Sequence, residues 1–177
     1  MLWVNLRQGL IVSVVFFVLL GLAYPLAETG IGQALFSHQA NGSLVADGST
    51  LVGQSWTSPR WFVGRPDADN PMATGGTNLG PRSEALVKTV RQQIAALRHD
   101  GITPTPDLVT TSGSGVDPDI APVDAYAQVN AVSKARGLPV AEVRQLVAAQ
   151  TRQPQFGFLG GAYINVLQLN QALAGLR

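Results

Sequence analysis

Three groups of residues carry side chains and spacings that could do chemistry. Thr74-Gly75-Gly76-Thr77-Asn78-Leu79-Gly80 runs toward a helix N-terminus, where free backbone N–H groups and the helix dipole can cradle an anion. The run lacks the Gly-Lys-Ser/Thr ending of a phosphate loop, so a structural turn or a docking loop is the expected role. Ser112, Ser114 and Asp117, taken with His99, are the ingredients of a serine hydrolase, yet Gly113-Ser114-Gly115 lacks the spacing of a nucleophile elbow. Asp117 with Asp119, and Asp67 with Asp69, could gather a hard cation, but neither pair stands in a full oxygen-ligand loop. Turn-forming aspartates are the expectation, no metal site is assigned, and His38 reads as an interfacial or solvated imidazole. The chain contains no cysteine, which excludes disulfides, thiolate catalysis and thiolate metal sites together. The residues alone therefore describe a chain without evident catalytic machinery.

The elements that must position these groups follow from periodicity and turn residues. Pro81 to Arg98 is predicted as a helix with Leu86, Val90, Ile94 and Leu97 in one stripe, stopped by Gly101. Asp107 to Thr111 is predicted as a short strand, entering the turn-rich stretch from Ser112 to Ile120. Two more helices are predicted over Pro122 to Ala135 and Pro139 to Thr151, with Gly137 as the break between them. Their inward residues should be Tyr126, Val129 and Val132, then Val143, Leu146 and Val147. A last strand over Ala162 to Val166 and a short helix through Leu167 to Leu173 complete the pattern. Upstream, Asp47-Gly48 between two apolar runs signals a hairpin, and Trp56, Trp61, Phe62 and Val63 concentrate bulk suited to core packing. Strands and helices interleave without regular βαβ spacing, so the expected fold class is a small α+β (or α/β) domain.

Ahead of that domain, Leu10 to Ala27 is an eighteen-residue run with no charged side chain. As a helix it would reach roughly 27 Å, close to the hydrocarbon thickness of a bilayer. The expected organisation is an N-terminal segment, residues 1–27, with a transmembrane helix over about 8–27, and a single soluble extracytoplasmic domain over 28–177. Pro25 is a place where the helix could end, and Glu28 to Ala40 is expected to add a helical turn or two at the outer membrane surface. Arg7 is the only charged side chain before Glu28, and the next Lys or Arg is Arg60. The bias places the N-terminus in the cytoplasm and the C-terminal domain outside the cell membrane. Gly9 and Ser13 form a small-xxx-small face suited to another transmembrane helix. The competing reading is a cleaved signal, ending near Ala23, that would release a secreted ligand-binding protein or hydrolase; the apolar run continues past that point. Beyond residue 27 acidic and basic side chains balance, which argues against a nucleic-acid surface.

Six ordered stretches carry a resemblance. NGSLVADGSTLVGQ at 41–54, FVGRPDA at 62–68, ATGGTNLGPRS at 73–83, DLVTTSGSGVDPDIAP at 107–122, QVNAVSKARGLPVAEVRQLV at 128–147 and INVLQLNQAL at 164–173 resemble the KdpC family, the C subunit of the bacterial high-affinity potassium-transporting ATPase. The likeness runs the length of the chain. It departs at Asp119, where a His or Asn is the usual expectation, and at Gly161, where an acid or Gln is common.

The resemblance implies a non-catalytic subunit of a membrane complex that hydrolyses ATP to import potassium. Its implied partners are a channel-like potassium-binding subunit, a P-type ATPase subunit, a small hydrophobic subunit and the lipid bilayer. ATP and potassium belong to that complex, and no cofactor is assigned to this chain. The family is also described as a catalytic chaperone that raises the ATPase subunit's affinity for ATP. With residues 28–177 outside, such an effect must be allosteric. The docking candidates are Gln54, Arg65, Gly75, Gly76, Asn78 and Asp117, in the motif loops, with Gly9 and Ser13 for packing of the membrane helix.

Overall fold

The structure, a computed structural model, describes residues 2–67 and 74–176. Two compact units divide the chain, Met1–Leu44 and Val45–Arg177.

The first unit is dominated by one continuous helix, Leu2–Leu35, none of whose apolar window is buried in the structure. It is long and apolar enough to cross a membrane: 34 residues reach about 50 Å. Pro25 does not end it, contrary to expectation. The helix runs as α1 (Leu2–Phe16), widens into a seven-residue π-helical stretch (Phe17–Ala23), and resumes as α2 (Tyr24–Leu35). Proline lacks an N–H, and its ring clashes with the carbonyl four residues back, here that of Gly21. Shifting the preceding hydrogen bonds to five-residue spacing lets the axis pass that clash, and Tyr24 N–H accordingly donates to Leu19 O. A four-residue helix, α3 (Ser37–Ala40), follows Phe36, so the expected turns after Glu28 are mostly an extension of the long helix.

The second unit is helix-rich, with strands of only two residues each. The hairpin signalled by Asp47-Gly48 is present, but its turn is Ala46-Asp47, between β1 (Leu44–Val45) and β2 (Gly48–Ser49). Gly48 takes φ 142° as the first residue of the return strand, a conformation that side chains resist. α4 (Glu84–His99) starts three residues later than Pro81, after an extended Ser83. It ends as predicted: Gly101 is left-handed, its N–H bonds Arg98 O and Ile102 N–H bonds Leu97 O, a Schellman closure. The strand expected over 107–111 is instead a helical turn, α5 (Pro106–Val109). Pro106 suits a first helical position, and the Thr110 hydroxyl donates back to Pro106 O at 2.8 Å. β-propensity lost there to burial of Leu108 and Val109 in a small second core with Leu97 and Ile102.

α6 (Pro122–Arg136), α7 (Val140–Gln150) and α8 (Val166–Ala174) build the main core. Val129, Val132, Val143 and Val147 are fully buried in it, while Tyr126 and Leu146 pack partly buried at its margin. β3 (Asp119–Ile120) pairs antiparallel with β4 (Ile164–Asn165), Asp119 opposite Asn165, and sews the entry of α6 to the entry of α8. Both Trp56 and Trp61 lean on this core, their ring centroids 5.3 Å apart, and the Arg136 guanidinium lies 5.0 Å from the Trp61 centroid.

Candidate functional site

The site is assembled by one segment, Phe62 to Asp67, that belongs to no helix or strand. Phe62 is completely buried, so its backbone polar groups need partners where no ladder exists. Two buried amides supply them. Asn170 on α8 accepts from Phe62 N–H and donates to Phe62 O, both at 2.9 Å. Gln128 on α6 accepts from Val63 N–H at 2.8 Å and donates to Val63 O at 3.0 Å. Each carboxamide mimics a neighbouring peptide, and the pair holds the segment as a sheet would.

What emerges from this clasp is Gly64-Arg65-Pro66-Asp67, presented to the loop after α5. The Arg65 guanidinium pairs with Asp107 at 3.2 Å, and its Nη2 donates to Thr111 O at 3.2 Å. The Asp67 carboxylate takes three donors: Ser112 N–H at 2.7 Å, the Ser112 hydroxyl at 2.7 Å and Asp117 N–H at 2.8 Å. Ser112 in turn accepts from Gly115 N–H, closing the turn. Two further strips are laid against this loop. Gly53 N–H bonds Val116 O, and a Cβ on Gly53 would stand 2.5 Å from Asp117 O. Gly75 N–H bonds Ser114 O at 2.6 Å, and a Cβ on left-handed Gly115 would run into Gly75 O.

Of the docking candidates, Gln54, Arg65 and Asp117 come together. With Asp67 they line a cavity of about 20 Å³, room for about one water. Gln54, Arg65 and Asp67 also edge a cleft of about 430 Å³ that runs past Trp56 to Gln93 and Asp100. Gly75 and Gly76 sit back to back with the 113–115 turn, Gly76 so close that a Cβ would lie 3.1 Å from Gly113 O. Asn78 lies apart from that cavity and cleft, exposed and left-handed at φ 54°, a conformation Asn tolerates better than most residues. Gly9 and Ser13, on the long helix, line one shallow groove with Asn5 and Leu6.

The geometry does not assemble the Ser–His set. The Ser112 hydroxyl is spent on Asp67 and Gly115, and the His99 imidazole is 88 % exposed and paired with Asp100 at 3.0 Å. Asp117 caps its own turn through Asp119 N–H, and Asp69 lies outside the described residues. Among the described residues no three His, Cys, Asp or Glu side chains gather as a metal site would need. Two carboxyls are held above the usual aspartate range. Burial pushes Asp119 up, assisted by nearby Asp117 and opposed by the Asn165 amide and Arg152. Burial likewise raises Asp124, which caps α6 by accepting Ala121 N–H at 2.9 Å.

Sequence reasoning missed the three residues that build the site. Asp67 was legible only as half of a possible cation pair. Gln128 and Asn170 carried one weak signal: a polar amide on the apolar stripe of an otherwise ordinary helix.

These features define a class: a long apolar helix joined to a small domain whose polar side chains are spent on locking loops in place. The chain belongs to the KdpC family. A family model described as "KdpC: K+-transporting ATPase, c chain" matches residues 6–175. The chain is similar to the potassium-transporting ATPase KdpC subunit of Caulobacter vibrioides, 47 % identical over 96 % of this chain and 92 % of the relative. That of Sorangium cellulosum is 48 % identical over 98 % of both chains, and that of Burkholderia ambifaria 48 % over 95 % and 94 %.

Proposed function

We propose that this chain is a non-catalytic accessory subunit of an ATP-driven, P-type potassium import complex. The observation that carries the reading is the family match over residues 6–175, which takes in the apolar helix, the clasped segment and every docking loop. ATP hydrolysis and ion selection fall to the partner subunits. The long helix anchors the chain among them, with the N-terminus cytoplasmic and the second unit outside. That unit works as a scaffold and cover on the channel-like subunit: a loop surface fixed in advance loses little conformational entropy on docking. Any gain in the ATPase subunit's affinity for ATP is transmitted through the membrane helix or the channel-like partner, because the outer unit cannot meet cytoplasmic nucleotide.

The test is a pull-down of the tagged full-length chain in mild detergent, with and without residues 1–27, followed by potassium-stimulated ATP hydrolysis on the eluate. Recovery of a channel-like subunit and an ATPase is expected. Recovery of the chain alone, cleaved near Ala23, would return the secreted-protein alternative. Asn78→Gly refines the docking assignment, since Gly keeps the left-handed backbone while removing the side chain. Lower retention at unchanged melting temperature marks Asn78 as a contact, and unchanged retention leaves it a turn residue.

A further inference from the structure

The wide turn in the long helix leaves the Leu20 carbonyl without a donor four or five residues on. The Leu20 carbonyl can receive Tyr24 N–H, four residues on, or a donor five residues on, which is Pro25. Tyr24 N–H is engaged by Leu19 O, and Pro25 has no N–H. The nearby side chains of Phe17, Leu19, Leu22 and Ala23 carry no donor. The Tyr24 hydroxyl is hydrogen-bonded to the Glu28 side chain, one turn further along the helix and away from Leu20. Leu20 also lies well inside the apolar run from Leu10 to Ala27, where lipid tails offer nothing to an acceptor and bulk water is absent.

We propose that a transmembrane helix of a partner subunit presents a hydroxyl or amide donor to the Leu20 carbonyl. This rests on the reading of the chain as a membrane-complex subunit and adds the chemistry of one contact. The occupant is a helix bearing Ser, Thr, Asn or Gln at that depth, because an acceptor in hydrocarbon is satisfied only by a donor brought there by protein. The groove lined by Asn5, Gly9 and Ser13 supports a helical partner from a separate observation. Ser13 stands seven residues before Leu20, about 10 Å along the axis, so a helix seated in that groove passes nearby. Gly21 beside the carbonyl carries no side chain of its own, although the Phe17 ring occupies part of the space a Cβ would fill.

The experiment uses the whole complex. A photo-reactive residue at position 20 captures its neighbour, and the donor found on that helix is then replaced by an isosteric apolar residue. With the wild-type chain, subunit retention in detergent is expected to fall about three-fold, the usual worth of an interhelical hydrogen bond. With the Pro25→Ala chain, which restores an N–H, the same replacement should cost nothing. Pro25→Leu repeats the test with a second side chain; both changes favour the helix. Capture of lipid alone, of a helix with no donor, or an equal fall in both backgrounds would overturn the proposal. If the partners are recovered while these outcomes occur, only this contact is lost. If no partner is recovered with the wild-type chain, the subunit reading itself fails.

Discussion

Replacing Asp67 by Asn changes one oxygen to an NH2 and tests whether the loop junction is held by a carboxylate. Ser112 N–H reaches one carboxylate oxygen, while the Ser112 hydroxyl and Asp117 N–H reach the other. An amide satisfies only one side: placed to keep the pair, its NH2 faces Ser112 N–H, donor against donor. Hydrogen bonds to a charged acceptor contribute about 1.5–3 kcal/mol each. One such bond is lost and two are weakened to neutral strength, for a total of about 3 kcal/mol. For a chain of this size that is a fall in Tm of about 6–12 °C. The assay is a thermal melt of the full chain in mild detergent, followed by near-UV circular dichroism of Trp56 and Trp61, which lean on the main core. Ser112→Ala on the Asp67→Asn background should cost about 1 kcal/mol less than on the wild type, because the two residues share a bond. An Asp67→Asn melt within about 2 °C of wild type, or fully additive losses, would refute the reasoning.

Gln128→Leu strips the half-buried backbone of Val63 of both partners, and Asn170→Leu does the same to the buried backbone of Phe62; each should cost about 2–4 kcal/mol in denaturant unfolding. Gly115→Ala combines a left-handed backbone with a collision at Gly75 O and should cost about 3 kcal/mol, whereas Gly113→Ala, with open space around it, should melt within about 0.5 kcal/mol of wild type. Asp119 and Asp124 titrate higher folded than unfolded, so the folded chain binds their protons more tightly. Their contribution is fully present below the unfolded aspartate value of about 3.9 and is lost as pH rises through the folded values. Asp119→Asn and Asp124→Asn should each shrink the gain in Tm on acidifying toward that pH, measured against wild type in the same buffers.

The long helix, α4, α6, α7 and α8 of the second unit and the glycine stops at Gly101 and Gly137 were legible in the sequence because each depends on local order. An apolar run of sufficient length, a stripe of every third or fourth residue and a residue without a Cβ act within a few positions. The motif loops could be recognised in the sequence, and their polar character followed from composition. Their joint geometry could not. Phe62 finds Asn170 across 108 residues of chain, Val63 finds Gln128 across 65, and Asp67 finds Ser112 and Asp117 across 45 and 50. A single Asp, Gln or Asn carries no mark of its distant partner, because a side-chain hydrogen bond is specified by the meeting of two surfaces rather than by any period along one. The same reason turned 106–109 into a helical turn, since burial of Leu108 and Val109 against α4 outweighed a β-propensity worth only about 1 kcal/mol across its whole scale. The π-helical stretch before Pro25 lies between these cases. Its cause, a missing N–H, is written in the sequence, but whether a proline ends, kinks or widens a helix is decided only when the backbone on both sides is built.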